Sequence, residues 1–321
     1  MRKAMKILLA VDGSDSGLTA VEEAARTPWP EGSVVRIASA VNVPTQTTPW
    51  PTPMPSDSDE EWTRVFEERA VAGLTEAAAR FGEVAGAKTD VSTKTLTGDP
   101  KIAILDEAER WGADLIVIGT HGYNAVERVW MGSVSRAVVT QAKCSVEIAR
   151  RSKTRGAGAA AGRILLAVDG SECGDVAAQE IAALPWPPET EIHVISVVQT
   201  PFPLGADART APEGFYFDIE KAGLEWASAA INGALSRFRE GDSSRDVPLT
   251  VTSEVIVGHP ERAIIDAAKR WRASLIALGS HGYHGFKRFL LGSVSQAVAS
   301  HAPCSVLIIR DQKSKGGREK P

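Results

Sequence analysis

The stretch KILLAVDGSDSG, Lys6–Gly17, and its near copy RILLAVDGSECG, Arg163–Gly174, decide how the chain must be read. Each opens on a continuous apolar run, as a strand buried on both faces requires; a half-solvated strand would alternate. Each run ends at an aspartate, a glycine and a serine, and helical periodicity follows, as in GLTAVEEAARTP from Gly17 to Pro28. Strand, tight turn and helix form the opening unit of a parallel α/β fold, and the chain contains that unit twice.

The duplication runs on from there. Asp12 recurs 157 residues later as Asp169, and TPWP at Thr27 recurs as LPWP at Leu184. A separation of 160 relates GTHGYNAVERVWMGSVSRAV, Gly119–Val138, to GSHGYHGFKRFLLGSVSQAV, Gly279–Val298, and Cys144 to Cys304. The second copy therefore gains three residues, net, in its middle. A chain of 321 residues is long for one hydrophobic core and suits two domains. Their expected bounds are 1–150 and 163–311, with a flexible linker over 151–162, RSKTRGAGAAAG, and a flexible tail over 312–321.

In the first copy the expected series continues with a strand in SVVRIASAV and a long helix in SDEEWTRVFEERAVAGLTEAAARF, with Trp62, Phe66 and Arg69 at helical spacing. A strand DVSTKTL, a helix PKIAILDEAERW, a strand DLIVIG, a helix GSVSRAVVTQA and a strand SVEIA complete it. This alternation predicts a parallel sheet with helices on both faces and right-handed crossovers. Between the second strand and the long helix lie proline-rich loops, VPTQTTPWPTPMPSD from Val43 and TPFPLGADARTAPEGF from Thr200, expected as ordered lids or mobile segments.

Composition narrows the function classes. With 43% hydrophobic and 24% charged residues, and 36 basic against 40 acidic side chains, the net charge is -4. A nucleic-acid or anionic-membrane surface as main partner would need a basic field. No apolar run approaches the ~18 residues of a membrane span, and MRKAMKILLAVDGS reads as a first strand, since its apolar run is too short for a signal peptide. Three cysteines make no disulfide framework, and Cys144 and Cys304 read as small buried hydrophobes. A cytoplasmic protein is expected.

In an open parallel sheet, ligands bind beyond the carboxyl ends of the strands where strand order reverses. Three features of each copy fall at such ends. The first is AVDGS, which is Ala10, Val11, Asp12, Gly13 and Ser14 in one copy and Ala167, Val168, Asp169, Gly170 and Ser171 in the other. Its aspartate either accepts from ribose hydroxyls or forms an Asx turn opening the next helix. The second is the G-x2-G-x9-G-S pattern. It begins with Gly119, Thr120, His121 and Gly122, repeated as Gly279, Ser280, His281 and Gly282. It closes on Gly132, Ser133, Val134 and Ser135, repeated as Gly292, Ser293, Val294 and Ser295. The glycines would admit close backbone approach or positive φ, and the last four residues start a helix whose N–H groups suit an anion, with both serine hydroxyls as further donors. The third is TGDP at Thr97 and VGHP at Val257, where Pro100 and Pro260 fit a first helical position and Asp99 an N-cap. Neither histidine sits in a cluster with zinc-ligand spacing, and neither a G-x-S-x-G elbow nor a G-x4-G-K-[ST] loop occurs.

The combination of AVDGS with G-x2-G-x9-G-S, followed by SVS and a last strand after HAPCSV, resembles the universal stress protein family, in its tandem, ATP-binding form. The resemblance implies two Rossmann-like (adenine nucleotide alpha hydrolase-like) α/β domains, each a five-stranded parallel sheet of order 3-2-1-4-5, with ATP between strands one and four. It implies that Asp12 and Asp169 meet the ribose, that the Ala40 and Val197 backbones border the adenine, and that the glycines and serines wrap the phosphates. It also implies an accompanying Mg2+ or Mn2+ bound through the phosphates, and pairing either between the two domains as an intrachain pseudo-dimer or in a homodimer. The chain departs from the family where an Arg-Gly-Gly often follows the second glycine: it has Tyr123-Asn124-Ala125 and Tyr283-His284-Gly285, with Arg128 and Arg288 further on. The expected function is a nucleotide-dependent regulator of the stress response. The alternatives are a slow Mg-dependent ATPase using the same sites, and a structural or chaperone-like dimer whose glycines only shape turns.

Overall fold

A computed structural model describes residues 3–42, 58–86, 89–120, 131–151, 162–199, 215–242, 245, 247–282 and 291–311. The proline-rich loops, the linker and the tail lie outside the described residues. The chain divides into two units, Met1–Arg151 and Ser152–Pro321.

The first unit runs β1 (Lys6–Ala10), α1 (Asp15–Arg26), β2 (Val34–Val41), α2 (Ser58–Ala85), β3 (Asp90–Thr97), α3 (Pro100–Trp111), β4 (Leu115–Gly119), α4 (Ser133–Gln141) and β5 (Ser145–Ala149). All its strand pairs are parallel, and the pairing β2 to β3, β1 to β2, β1 to β4 and β4 to β5 gives the order β3-β2-β1-β4-β5. The second unit runs β6 (Arg163–Ala167), α5 (Glu172–Ala183), β7 (Glu191–Val198), α6 (Phe215–Asp242), β8 (Thr250–Val257), α7 (Pro260–Trp271), β9 (Leu275–Gly279), α8 (Ser293–His301) and β10 (Ser305–Ile309). It pairs likewise as β8-β7-β6-β9-β10. Right-handed crossovers put the first two helices of each unit on one face and the last two on the other, and within units α1 packs on α2, α3 on α4, α5 on α6 and α7 on α8.

Central strands owe their place to the apolar runs. Ile7, Leu8, Leu9, Ile116 and Val117 are fully buried, as are Leu165, Leu166 and Ile276. The edge strands β3 and β8, rich in Ser and Thr, bury little, as a strand paired on one side and solvated on one face should. The long helices carry matching core stripes, Leu74, Ala77 and Phe81 on α2 and Ile231, Ala234 and Phe238 on α6, at the i, i+3, i+7 spacing of one helical face. Among the described residues no helix is long and apolar enough to cross a membrane.

Helix starts follow the caps. The first helix begins two residues before the periodicity does, at Asp15, because Ser14 Oγ accepts from the Gly17 N–H at 3.1 Å. Asp99 caps α3 through the Lys101 N–H at 2.8 Å, with Pro100 in the first turn as expected.

The two units diverge in how they treat one internal charge. Glu107 on α3 is 1% exposed and takes hydrogen bonds from Arg36 at 2.6 Å and Lys94 at 2.8 Å. Burial pushes its carboxyl up, but those two cations outweigh burial and hold it below the usual range. The Arg36 guanidinium stacks over Trp111, 4.3 Å from the ring centroid. In the second unit the matching helix position is Ala267, and an acid, Glu254, stands instead on the strand. His193 replaces Arg36 there, 2.8 Å from Thr252 Oγ1, 3.5 Å from Glu254 Oε2 and beside the Trp271 ring.

The C-caps differ as well. Gly112 ends α3 in the left-handed region at φ 71, and its counterpart ending α7 is Arg272 at φ 55. Arg272 is the one non-glycine with positive φ among the described residues. Left-handed backbone costs an ordinary residue about 1–2 kcal/mol, part of which a glycine returns as unfolded-state entropy. Arg272→Gly should therefore stabilise the second unit by about 0.5–1 kcal/mol, seen as a higher melting temperature. An unchanged or lower one would show that Arg272 carries no strain.

Candidate functional site

Strand order reverses between β1 and β4, and between β6 and β9, so each unit has its crevice beyond those carboxyl ends. The chain leaves β1 through Val11, whose N–H still bonds Ala38 O at 2.9 Å, and Val168 does the same to Ile195 O. The aspartate turn is next. Asp12 Oδ1 accepts from the Ser14 N–H at 3.1 Å and the Ser14 hydroxyl at 2.5 Å. Asp169 Oδ1 does so from Ser171 at 3.0 and 2.5 Å. The Asx turn is thus formed in both copies, with Gly13 and Gly170 at φ 76 and 79. Ala10 and Ala167 close their strands immediately before it. In the second unit the other carboxylate oxygen, Asp169 Oδ2, faces Gly282, where a Cβ would come within 2.6 Å of it.

Gly119 and Gly279 play a different part from the one their motif suggested. Neither takes positive φ. A Cβ on Gly119 would fall within 2.6 Å of the Ser16 carbonyl oxygen and closer still to Ser16 Oγ. One on Gly279 would meet the Cys173 carbonyl carbon at 2.8 Å. These glycines admit the first turn of α1 or α5, and the close approach they serve is helix against strand.

Two further bonds close each motif. Gly132 N–H donates to Thr120 O at 2.7 Å, and Gly292 N–H to Ser280 O at 2.8 Å, so the loop between them is pinched at its base. Ser135 Oγ donates to Gly119 O and Ser295 Oγ to Gly279 O, both at 2.7 Å. The hydroxyls of Ser135 and Ser295, expected among the anion donors, are therefore spent on holding the helix to the strand. Ser133 and Ser293 are exposed at the helix starts, with Val134 and Val294 half-buried beside them. The first N–H groups of α4 and α8 have no intrahelical acceptor, and Gly132 and Gly292 cap these helices without a side chain.

Ala40 and Val197 are half-buried at the penultimate positions of β2 and β7. His281 follows the end of β9, its Nδ1 3.1 Å from Ser280 Oγ and its Nε2 buried without a partner among the described residues. Burial, and then the charge of Arg310, lower its pKa and keep the imidazole neutral. His121, Gly122 and the tyrosines and arginines of both loops lie outside the described residues.

Sequence reasoning missed Ser16 and Cys173 as the surfaces against which the motif glycines close, and missed Trp226. Its indole Nε1 donates to Asp169 O at 2.9 Å. Aligning α2 with α6 would have flagged it, since Arg69 stands at the matching position.

Comparison with known proteins agrees with this architecture. The model of the universal stress protein family matches residues 3–150 and again 161–310. A universal stress protein of Mycobacterium tuberculosis (strain ATCC 25618 / H37Rv) is 25% identical over 316 residues, which are 96% of this chain and 98% of that one. A putative universal stress protein of Staphylococcus haemolyticus is 34% identical over 145 residues, 45% of this chain and 83% of that one. The crystal structure of a universal stress protein from Archaeoglobus fulgidus DSM 4304 superposes with a TM-score of 0.63 at 21% identity, over 96% of this chain and 99% of that one, and shows the fold.

Two outcomes follow from these contacts. Gly279→Ala places a methyl group against backbone that cannot yield, and should destabilise the second unit by about 1–3 kcal/mol; a variant melting with wild type would remove the packing role. His281 is the second case. An unfolded histidine protonates near pH 6.5 while the folded His281 resists, so stability is constant above that pH and falls as pH drops toward the lower folded value. His281→Asn should flatten the melting temperature between pH 7.5 and 5.5 relative to wild type, and parallel curves would contradict the assignment.

Proposed function

The chain belongs to the universal stress protein family, matched in both halves, and from that premise we propose that each unit binds ATP in its crevice and that the protein acts as a nucleotide-dependent regulator of a stress response. The observation that carries this reading is the paired build of the motif. In both units a loop is clamped at its base by one backbone bond, and a helix N-terminus is locked to the strand end by a serine hydroxyl. A loop that merely turned the chain would need neither.

In this reading the first N–H groups of α4 and α8 meet the phosphates, with the exposed hydroxyls of Ser133 and Ser293 beside them. The aspartate turns present Asp12 and Asp169 to the ribose hydroxyls, and the backbone at Ala40 and Val197 borders the adenine. Oδ1 of each aspartate also serves the Asx turn, so the turn and the nucleotide share one rigid carboxylate. A neutral His281 adds no charge to the crevice, and the backbone dipoles of the helix starts attract the anion. Magnesium or manganese would enter through the phosphates and neutralise their charge. Among the described residues no three His, Cys, Asp or Glu side chains gather to hold an ion directly.

The test is direct. Denatured protein should release adenine nucleotide, or empty protein should gain melting temperature on addition of ATP with magnesium chloride, by about 2.7 kcal/mol of stabilisation at a hundredfold excess over Kd. Tryptophan at the exposed Ser133 and Ser293 together should abolish that gain and leave the nucleotide-free melt unchanged. Protein that is purified empty and ignores millimolar ATP would sink the reading.

A further inference from the structure

The two crevices are spelled alike, but where the second unit has Trp226 the first has Arg69. DGS occurs in both copies with the same left-handed glycine. A Cβ on Gly13 would meet nothing within 4 Å, whereas one on Gly170 would lie 2.8 Å from Trp226 Nε1 and 3.1 to 3.2 Å from the indole carbons. The indole lies against the second turn. Burial follows suit: Ser171 is buried and Asp169 half-buried, while Ser14 is half-buried and Asp12 exposed.

Trp226 is not a core residue. The buried face of α6 is Ala227, Ile231, Ala234 and Phe238, and Trp226 itself is 50% exposed. Beneath its ring a groove of about 290 Å3 remains open between α5 and α6, floored by Ala178, Ala230 and Gly233. The corresponding places in the first unit carry Val21, Gly73 and Glu76. The bond from its Nε1 to Asp169 O at 2.9 Å ties the indole to the aspartate turn.

We propose that Trp226 is a positioning residue of the second nucleotide site, fixing the Asp169–Gly170 peptide so that the Asp169 carboxylate is set before the ligand arrives. Glycine in the left-handed region can rotate its preceding peptide at low cost, and a donor on the carbonyl removes that freedom. Asp169 is then held at three points. Trp226 takes the carbonyl, Ser171 takes Oδ1, and Oδ2 rests against Gly282 of the phosphate motif. Asp12 has the matching serine contacts, and Arg69 stands at the helix position that aligns with Trp226. Ordering paid in the free protein is not paid on binding, so the indole bond strengthens binding at the second site. This rests on the nucleotide reading of the crevice.

The test uses the full chain with one site closed by Trp at Ser133 or Ser293. In S133W, where only the second site is open, W226F removes the donor and keeps a ring. Calorimetric titration with ATP and magnesium chloride should show Kd raised roughly fivefold, the worth of one hydrogen bond. The nucleotide-free melting temperature should stay within about 2 °C, a split that a purely structural role would not give. As an independent readout, the indole N–H resonance missing from W226F should shift on saturation with ATP in otherwise wild-type protein. Equal Kd with and without W226F, or a lowered melting temperature with Kd intact, overturns the proposal. Wild-type protein that binds no ATP overturns the nucleotide reading itself, and this proposal with it.

Discussion

The carboxyl ends of β4 and β9 approach the first turn of the helix behind them so closely that no methyl group fits between. That contact sets the depth of each crevice. It lets α1 and α5 start directly behind the aspartate turn and brings Ser16 Oγ within 3.5 Å of Thr120 Oγ1. It also leaves the strand's last carbonyl, at Gly119 or Gly279, pointing where the next helix can reach it with Ser135 or Ser295. A glycine at a strand end weakens the strand by roughly 0.5–1 kcal/mol relative to alanine. A buried hydroxyl-to-carbonyl bond returns about the same. The close approach and the serine lock are therefore best seen as one device, in which the second offsets the cost of the first.

Beyond that shared device the copies diverge where the fold permits several answers. Under α3 the first unit neutralises a buried glutamate with Arg36 and Lys94. The second has alanine at that helix position and sets Glu254 on the strand, within reach of His193 and Arg270. Removing one partner of such a cluster leaves an unpaired buried charge, which is costly. The partners must change together, so Ala267, Glu254 and His193 read as one coordinated alternative to Glu107, Lys94 and Arg36. Both versions keep a tryptophan beside the strand residue, Trp111 over Arg36 and Trp271 against His193.

Strand and helix positions were legible in the sequence because they rest on local signals: apolar runs, caps and turn residues. The family resemblance supplied the order 3-2-1-4-5, and the strand pairs agree with it. What could not be read was which atoms the motif residues face. Gly119 and Gly122 look alike in a string, and only the path of α1 shows that Gly119 is empty for the sake of Ser16. Ser133 and Ser135 sit two residues apart at one helix start, yet one points to solvent and the other back to the strand. Of the two readings open at Asp12, the turn is formed, with Oδ1 as its acceptor. Trp226 was overlooked for another reason. Its partner is a backbone carbonyl 57 residues away, and main-chain acceptors leave no mark on a sequence.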